Sequence, residues 1–200
     1  MPITSVAQLR ALYGEPSAVA LAKQIPALDD YCRRFIARSP FLVLASAHDT
    51  QVDASPKGDL PGFVQVDDAG HLLIPDWPGN RRIDGLSNIV ANPWVGILFM
   101  IPNVRETLRV NGHAVIHEEP ELTARFDRDG RRPITVLRVA PQEVFLHCAK
   151  AFMRSHLWEP DTWPARSELP GMVEMLRAHT QTTAYADEAA MQARLNSTLY

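Results

Sequence analysis

The chain has 200 residues, of which 46% are hydrophobic and 22% are charged, as in an ordinary globular protein. The formal net charge of −3 provides no bulk positive field, so nucleic acid is not an expected partner. The longest apolar run, residues 95–102, is far shorter than the roughly 20 residues that a membrane-spanning helix needs. With no signal-like N-terminus and only two cysteines, we expect a cytoplasmic protein with one domain, residues 1–200.

The first forty residues carry helix signals. Ser5 can cap a short helix, and Asp29 and Asp30 stand where acidic residues favour a helix N-terminus. The helix that follows Asp30 should end near Ser39, because the residue before a proline avoids the helical conformation. These signals predict a helical N-terminal segment over residues 1–40.

From residue 41 the hydrophobic pattern changes from helical to strand-like. Seven short runs are typical of strands, namely 41–46, 62–66, 71–74, 94–101, 108–116, 134–139 and 143–147. Helical stretches at 81–91 and 119–127 interrupt them, and the chain becomes helical again beyond residue 148. The pattern predicts a mainly β fold with peripheral helices (α+β). Its β core spans about residues 41–148, and a helical C-terminal appendage spans about residues 149–200.

Residues 76–84, Asp-Trp-Pro-Gly-Asn-Arg-Arg-Ile-Asp, are the strongest local signal. The Pro-Gly pair predicts a turn, Asn80 is a good N-cap, and Arg81 and Arg82 would then occupy the first turn of a helix. Two cations there oppose the helix dipole, and a bound phosphate would remove the conflict. The alternative is a solvated turn whose arginines pair with Asp76 or Asp84. The spacing alone leaves both interpretations open.

Residues 54–59, Ala-Ser-Pro-Lys-Gly-Asp, form a second informative segment. They put Lys57, one of only three lysines in the chain, beside backbone amides and the hydroxyl of Ser55 at the end of a strand. This combination can hold the polar edge of a heterocycle or a phosphate. The alternative is a solvated hairpin end, which Lys-Gly-Asp turns commonly form.

The two segments and their order resemble the pyridoxamine 5'-phosphate oxidase-like, FMN-binding split-barrel proteins, especially the branch described as oxidase-related. The resemblance covers about residues 28–158 and is most specific from Pro-Gly-Asn-Arg-Arg (78–82) to Val-Asn-Gly (110–112). It implies a split β-barrel that binds FMN at the interface of a homodimer. It also implies an FMN-dependent oxidoreductase that acts on a small molecule.

The resemblance implies roles for individual residues. Arg81 and Arg82 would bind the FMN phosphate, and Lys57 would place positive charge near the flavin ring and raise its reduction potential. The remaining implied contacts are Asn80 and Ser87 near the phosphate, Ala54, Ser55, Pro56 and Lys57 along the ring and ribityl side, Ile74 and Pro75 on the strand behind the flavin, Thr107 at the flavin edge, and Lys150, Arg154 and Ser155 from the opposite subunit.

The chain also departs from the family pattern. It lacks the C-terminal tryptophan and arginine-histidine motif with which true pyridoxamine 5'-phosphate oxidases bind the substrate phosphate. The resemblance therefore leaves the substrate and any catalytic residue unidentified. Two alternatives stay open, a non-catalytic flavin-binding or storage protein and a split barrel for another cofactor, such as a deazaflavin or haem. No metal site is expected, since only His113 and His117 share a strand face at short spacing.

Overall fold

The computed structural model describes residues 1–181 and 184–200. Its strands are β1 (Phe41–His48), β2 (Gln51–Gly58), β3 (Gln65–Val66), β4 (Leu72–Asp76), β5 (Trp94–Met100), β6 (Thr107–His117) and β7 (Thr135–His147). They form one antiparallel sheet in the order β2-β1-β5-β6-β7-β4-β3. The helices are α1 (Val6–Tyr13), α2 (Ala18–Ala22), α3 (Asp30–Arg38), α4 (Asp84–Ala91), α5 (Pro120–Thr123), α6 (Lys150–Ser155), α7 (Met172–Thr180) and α8 (Glu188–Ser197). Short 3₁₀ turns lie at Ala124–Phe126, Pro160–Thr162 and Arg166–Glu168.

The sheet has an apolar inner face and a mixed outer face. Alternate residues of each strand point to the same face, and the inner set includes Leu42 of β1, Phe99 of β5 and Val110 of β6, all fully buried. Burying one side chain of this size contributes about 1.5–3 kcal/mol. The inner face therefore holds the main core, and the residues between these positions form what we call the outer face.

An ion pair links strands from opposite ends of the sheet. Nζ of Lys57 in β2 donates to Oδ1 of Asp76 in β4, although four other strands lie between β2 and β4 in the sheet order. The sheet must therefore curl until its two ends approach each other. The result is a split barrel, and we call the gap between β2 and β4 the split.

The helix caps of the N-terminal segment follow the sequence prediction. Ser5 accepts a hydrogen bond from the Gln8 backbone N–H at the start of α1, and Asp29 accepts one from Cys32 at the start of α3. Helix α3 ends at Arg38, and Ser39 is its C-cap, as the following proline predicts. No helix within residues 1–181 or 184–200 combines the length and the apolar character that crossing a membrane demands.

The strand predictions were wrong in two places. Strand β7 is continuous where the sequence predicts two strands, because Pro141 lies opposite Gly112 at a β-bulge, where a missing backbone N–H is tolerated. The seven predicted runs also omit β2 entirely, although the segment at 54–59 is predicted to end a strand. Strand β2 lies at the edge of the sheet and has exposed and half-buried positions only, so it lacks a hydrophobic alternation.

The turn between β3 and β4 is attached to β7 through Asp67. Its Oδ1 accepts from the His71 backbone N–H at 2.8 Å, and its Oδ2 accepts from Nη2 of Arg138 at 2.6 Å. Burial alone would raise the pKa of Asp67, but the hydrogen bond from His71 and the Arg138 guanidinium outweigh it and lower the pKa below 3.8. The folded protein therefore favours the Asp67 carboxylate.

We expect Asp67→Asn to lower the free energy of unfolding at neutral pH by about 1–3 kcal/mol. Because the folded pKa lies below the unfolded one, the stabilisation is complete above about pH 4 and is lost as the pH falls through the folded pKa. Urea unfolding at pH about 7 and about 3 measures both effects. An equal difference between variant and parent at the two pH values would contradict this role of Asp67.

Candidate functional site

A cavity of about 570 Å³ opens along the split. Its walls come from residues 53–57 of β2, from the end of β4 and from the segment that leads into α4. The volume falls within the range of about 300–1,000 Å³ that is usual for small-molecule sites. The cavity also brings together the two segments that the sequence singles out, residues 54–59 and 76–84.

A second concave region, of about 640 Å³, lies on the outer face. Its floor is made of small residues such as Ala45 and Gly96, and its rim carries Trp94 and Glu143. None of its lining residues is a lysine or an arginine. An anionic ligand therefore finds its partners in the cavity on the split and not in this larger, shallower region.

The position predicted for Arg81 and Arg82 relative to the helix was wrong. Helix α4 begins only at Asp84, and both Arg81 and Ile83 have left-handed backbone conformations, with φ of 62° and 52°. Asn80 does not cap the helix, because its Oδ1 accepts from the Arg82 backbone N–H at 3.0 Å within the preceding turn. The two arginines thus line the cavity from an irregular turn, and the conflict with the helix dipole does not arise.

The charges at this turn are only partly balanced. Nε of Arg82 donates to Oδ2 of Asp84 at 2.8 Å, so one of the two pairings in the solvated-turn interpretation is present. The Arg82 side chain is 73% exposed, and a pair this exposed contributes at most about 1 kcal/mol. Over residues 1–181 and 184–200, Arg81 has no carboxylate at ion-pair distance. Both guanidinium groups can therefore contact an anion in the cavity.

Lys57 is not part of a solvated hairpin end. Its side chain is 18% exposed and that of its partner Asp76 is 19% exposed, and both line the cavity. In the same strand Ser55 Oγ donates to Oδ2 of Asp53 at 2.7 Å. Strand β2 therefore presents an ammonium group, a hydroxyl and a carboxylate from alternate positions of one face.

The start of α4 lies close against β2. A Cβ atom added to Gly85 would lie 2.7 Å from Oδ2 of Asp53, closer than real side chains come. A side chain at position 85 would therefore displace the Asp53 carboxylate, which lines the cavity.

The structure brings together half of the residues that the sequence proposes for the site. The residues on the cavity wall are Ala54, Ser55, Pro56, Lys57, Asn80, Arg81 and Arg82. Ile74 and Pro75 are buried in β4 just before Asp76, behind the wall, and Ser87 is exposed on α4. Thr107 is buried at the start of β6, opposite His147, and Lys150, Arg154 and Ser155 lie on α6. A contribution of these last four residues to a partner's site stays a prediction.

Asp53 and Trp77 are cavity residues that the site prediction omits. The alternation of polar residues at 53, 55 and 57 could have identified Asp53 as part of a polar strand face. Nε1 of Trp77 is buried and has no hydrogen-bond partner within residues 1–181 and 184–200, and its ring packs edge-on against Tyr200 at 4.9 Å. Tyr200 Oη donates to Oδ1 of Asp59 at 2.7 Å, and this bond raises the pKa of Tyr200.

Comparison with known proteins identifies the family. The sequence model of the family described as pyridoxamine 5'-phosphate oxidase matches residues 28–148. Similar solved structures include HupZ of Group A Streptococcus, with 18% identity, a TM-score of 0.48 and coverage of 60% of this chain and 93% of that one. General Stress Protein 26 of Bacillus anthracis has 17% identity and a TM-score of 0.45, with coverage of 56% and 88%. An FAD binding protein of Mycobacterium smegmatis has 15% identity and a TM-score of 0.43, with coverage of 62% and 97%.

These structural matches are too distant to carry an argument, and no curated protein sequence matches significantly. The assignment rests on the family model, which spans more than half of the chain and includes every strand of the sheet. The chain belongs to the pyridoxamine 5'-phosphate oxidase family.

Proposed function

We propose that the chain binds FMN in the cavity on the split and is an FMN-dependent oxidoreductase for a small molecule, active as a homodimer with FMN at the subunit interface. This proposal rests on the different side chains that the two walls of the cavity carry. Two guanidinium groups from the turn at 81–82 face the polar strand positions 53, 55 and 57. Such a site suits a ligand with a phosphate at one end and a polar heterocycle at the other.

The arginine turn fits the phosphate of FMN. Charge-assisted hydrogen bonds from guanidinium groups to phosphate are among the strongest polar contacts in proteins. Arg81 has no carboxylate partner among the described residues, and the exposed Arg82–Asp84 pair is weak, so both can be recruited. The residues at this end of the cavity would hold the phosphate.

The rest of the cavity fits a planar, partly apolar group. Its lining includes Leu44, Leu86 and Ile134, which offer apolar surface, and Lys57, which offers a donor and a positive charge. FMN bound here would supply hydride or electron transfer to the substrate. The chain's own contribution is to orient the flavin between β2 and the arginine turn and to set the local charge through Lys57 and Asp76.

Exposed apolar side chains support the homodimer. Val52, Trp94 and Val115 on the outer face are 80%, 51% and 56% exposed, and Ile83 and Ile134, which line the cavity, are 59% and 62% exposed. Large exposed apolar side chains that lie near one another are typical of protein interfaces. Sedimentation velocity of the FMN-loaded protein tests this part of the proposal, because a monomer that retains its flavin would contradict an interface site.

The visible absorption spectrum of the purified protein, with and without added FMN, tests the function. We expect flavin bands that bleach when a reduced nicotinamide is added under nitrogen. Bands that the reduced nicotinamide does not bleach, although dithionite does, would favour a flavin-storage protein. A protein that takes up no FMN at all would contradict the proposal.

Lys57→Met and Asp76→Asn should shift the reduction potential of the bound flavin in opposite directions. Removing the Lys57 cation disfavours the anionic reduced flavin and lowers the potential, whereas removing the Asp76 carboxylate leaves Lys57 uncompensated and raises it. Each shift should be on the order of 30 mV, the equivalent of about 1.4 kcal/mol for a two-electron couple. Spectroelectrochemical titration measures both. Equal potentials in the two variants would show that this ion pair does not set the reduction potential of the flavin.

A further inference from the structure

A second group of cations lies away from the cavity, where β6 and β7 run side by side. Nζ of Lys23 lies 5.5 Å and Cζ of Arg109 lies 5.4 Å from the centre of the Phe145 ring. The ring of His147 lies 5.0 Å from the same centre. We call these four residues the Phe145 cluster.

Backbone hydrogen bonds hold the Phe145 cluster in place. Arg109 is the register partner of Phe145 in the paired strands β6 and β7. The segment that carries Lys23 is attached to β7 by two backbone bonds between Ile25 and Val144, of 3.0 and 2.9 Å. Lys23 Nζ also donates to the Leu146 carbonyl at 2.9 Å. Strand pairing and backbone hydrogen bonds therefore place both cations beside the Phe145 ring.

The cations of the cluster have no direct ion-pair partner. In the part of the chain that the structure describes, none of Lys23, Arg109 and His147 has an acidic side chain at ion-pair distance. The nearby Glu143 carboxylate is held by neutral amides instead, because its two oxygens accept from Gln24 at 3.0 Å and from Asn111 at 2.9 Å. Lys23 and Arg109 therefore keep their capacity to pair with an anion beside the Phe145 ring.

One polar atom in the cluster is buried without a partner. Nε2 of His147 is inaccessible to solvent and makes no hydrogen bond with any residue that the structure describes. Burial, together with the positive charges of Arg109 and Lys23, lowers the pKa of His147. A buried polar atom without a partner is rare in native proteins and calls for an explanation. An anion bound at the cluster would balance the cations and accept a hydrogen bond from this nitrogen.

We propose that the Phe145 cluster is a second anion-binding site, which takes the carboxylate or phosphate group of a small molecule on Arg109, Lys23 and His147. The site is separate from the cavity on the split. Arg109 lies between the buried Leu108 and Val110, so it points to the outer face, whereas Lys57 is in register with the buried Leu42 and points inward. Within one chain the Phe145 cluster therefore lies apart from the flavin cavity, on a face that is also exposed for the proposed homodimer.

Histidine NMR signals of the flavin-free protein test the site. We would titrate the protein with sodium phosphate and, separately, with sodium acetate, at constant pH and ionic strength, and identify the His147 signal by its loss in His147→Gln. We expect a saturable shift of this signal with at least one of the anions. Saturation with phosphate only assigns a phosphate-bearing ligand, and saturation with acetate only assigns a carboxylate.

Arg109→Gln and the exposed Lys23→Gln should each weaken the binding of that anion by about tenfold. Arg34→Gln is the matched control, because Arg34 also lies over an aromatic ring, that of Tyr31 at 5.1 Å, but without a second cation or a histidine. The Arg81→Ala/Arg82→Ala variant should keep the His147 response, which separates this site from the flavin cavity. No shift with either anion, or equal shifts in the parent, Arg109→Gln and Lys23→Gln, would overturn the proposal.

Discussion

Replacing Arg81 and Arg82 together by alanine should weaken FMN binding at least about a hundredfold. Each lost charge-assisted hydrogen bond to a phosphate costs about 1.5–3 kcal/mol, and tenfold in affinity corresponds to about 1.4 kcal/mol. Both residues precede α4 and neither is buried, so the fold should be retained. Quenching of FMN fluorescence on titration with flavin-free protein gives the two affinities.

Arg132→Ala is a matched control for this experiment. Nε of Arg132 lies 3.2 Å from Oδ2 of Asp127, an exposed pair of the same kind as Arg82–Asp84 but outside the cavity. Its loss should leave the affinity for FMN unchanged. If the double arginine variant also binds FMN like the parent, the phosphate is not held at this turn.

Gly112→Ala should destabilise the protein by about 3 kcal/mol or more. A Cβ atom at this position would lie 2.2 Å from the backbone oxygen of Ala140, and a backbone atom cannot move aside as a side-chain tip can. Overpacking of this kind costs about 1–3 kcal/mol even where side chains can adjust. The β6–β7 bulge would have to open, and urea unfolding measures the loss.

Gly96→Ala is the corresponding control in β5. An added Cβ there would meet only the side chains of Asn111 at 3.4 Å and Ala45 at 3.9 Å, which are ordinary contact distances. We expect a change within about 1 kcal/mol of the parent. Equal losses in Gly96→Ala and Gly112→Ala would show that the bulge has no special requirement for glycine.

Local signals made much of the fold predictable. The caps at Ser5 and Asp29 depend on side-chain oxygens that bond within one turn, so their effect is visible in a few residues of sequence. The strands of the core alternate buried and accessible residues, as in β5, and alternation is also a local property. Seven short strands are typical of a barrel or a sandwich, and the family resemblance selected the split barrel.

The turn at residues 80–83 was not predictable in the same way. A left-handed conformation is uncommon for residues other than glycine, and here Arg81 and Ile83 both adopt it. The sequence offers a strong cap in Asn80 immediately before a helical pattern, so it favours an earlier helix start. The helix instead starts at Asp84, and the next residue, Gly85, lies close to Asp53 of β2.

The composition of the site was predictable, whereas its internal pairing was not. The sequence singles out the segments that contain Lys57 and Arg82, because cationic side chains beside turns suit a ligand with a phosphate and a polar heterocycle. The bond between Lys57 and Asp76 depends on the strand order, which brings the two ends of the sheet together across the split. The Phe145 cluster likewise depends on pairing between distant segments, since Lys23 reaches β7 through the bridge at Ile25.

The two edge strands determine how copies of this chain can meet. Strand β2 forms one edge and carries Pro56, which has no N–H to donate, next to Lys57. Strand β3 forms the other edge and has only two residues. Proline, charge and short length all oppose the addition of a foreign strand, which is the first step of edge-to-edge aggregation. The sheet therefore resists extension from one molecule into the next, and the homodimer that we propose has to form through other surfaces than the sheet edges.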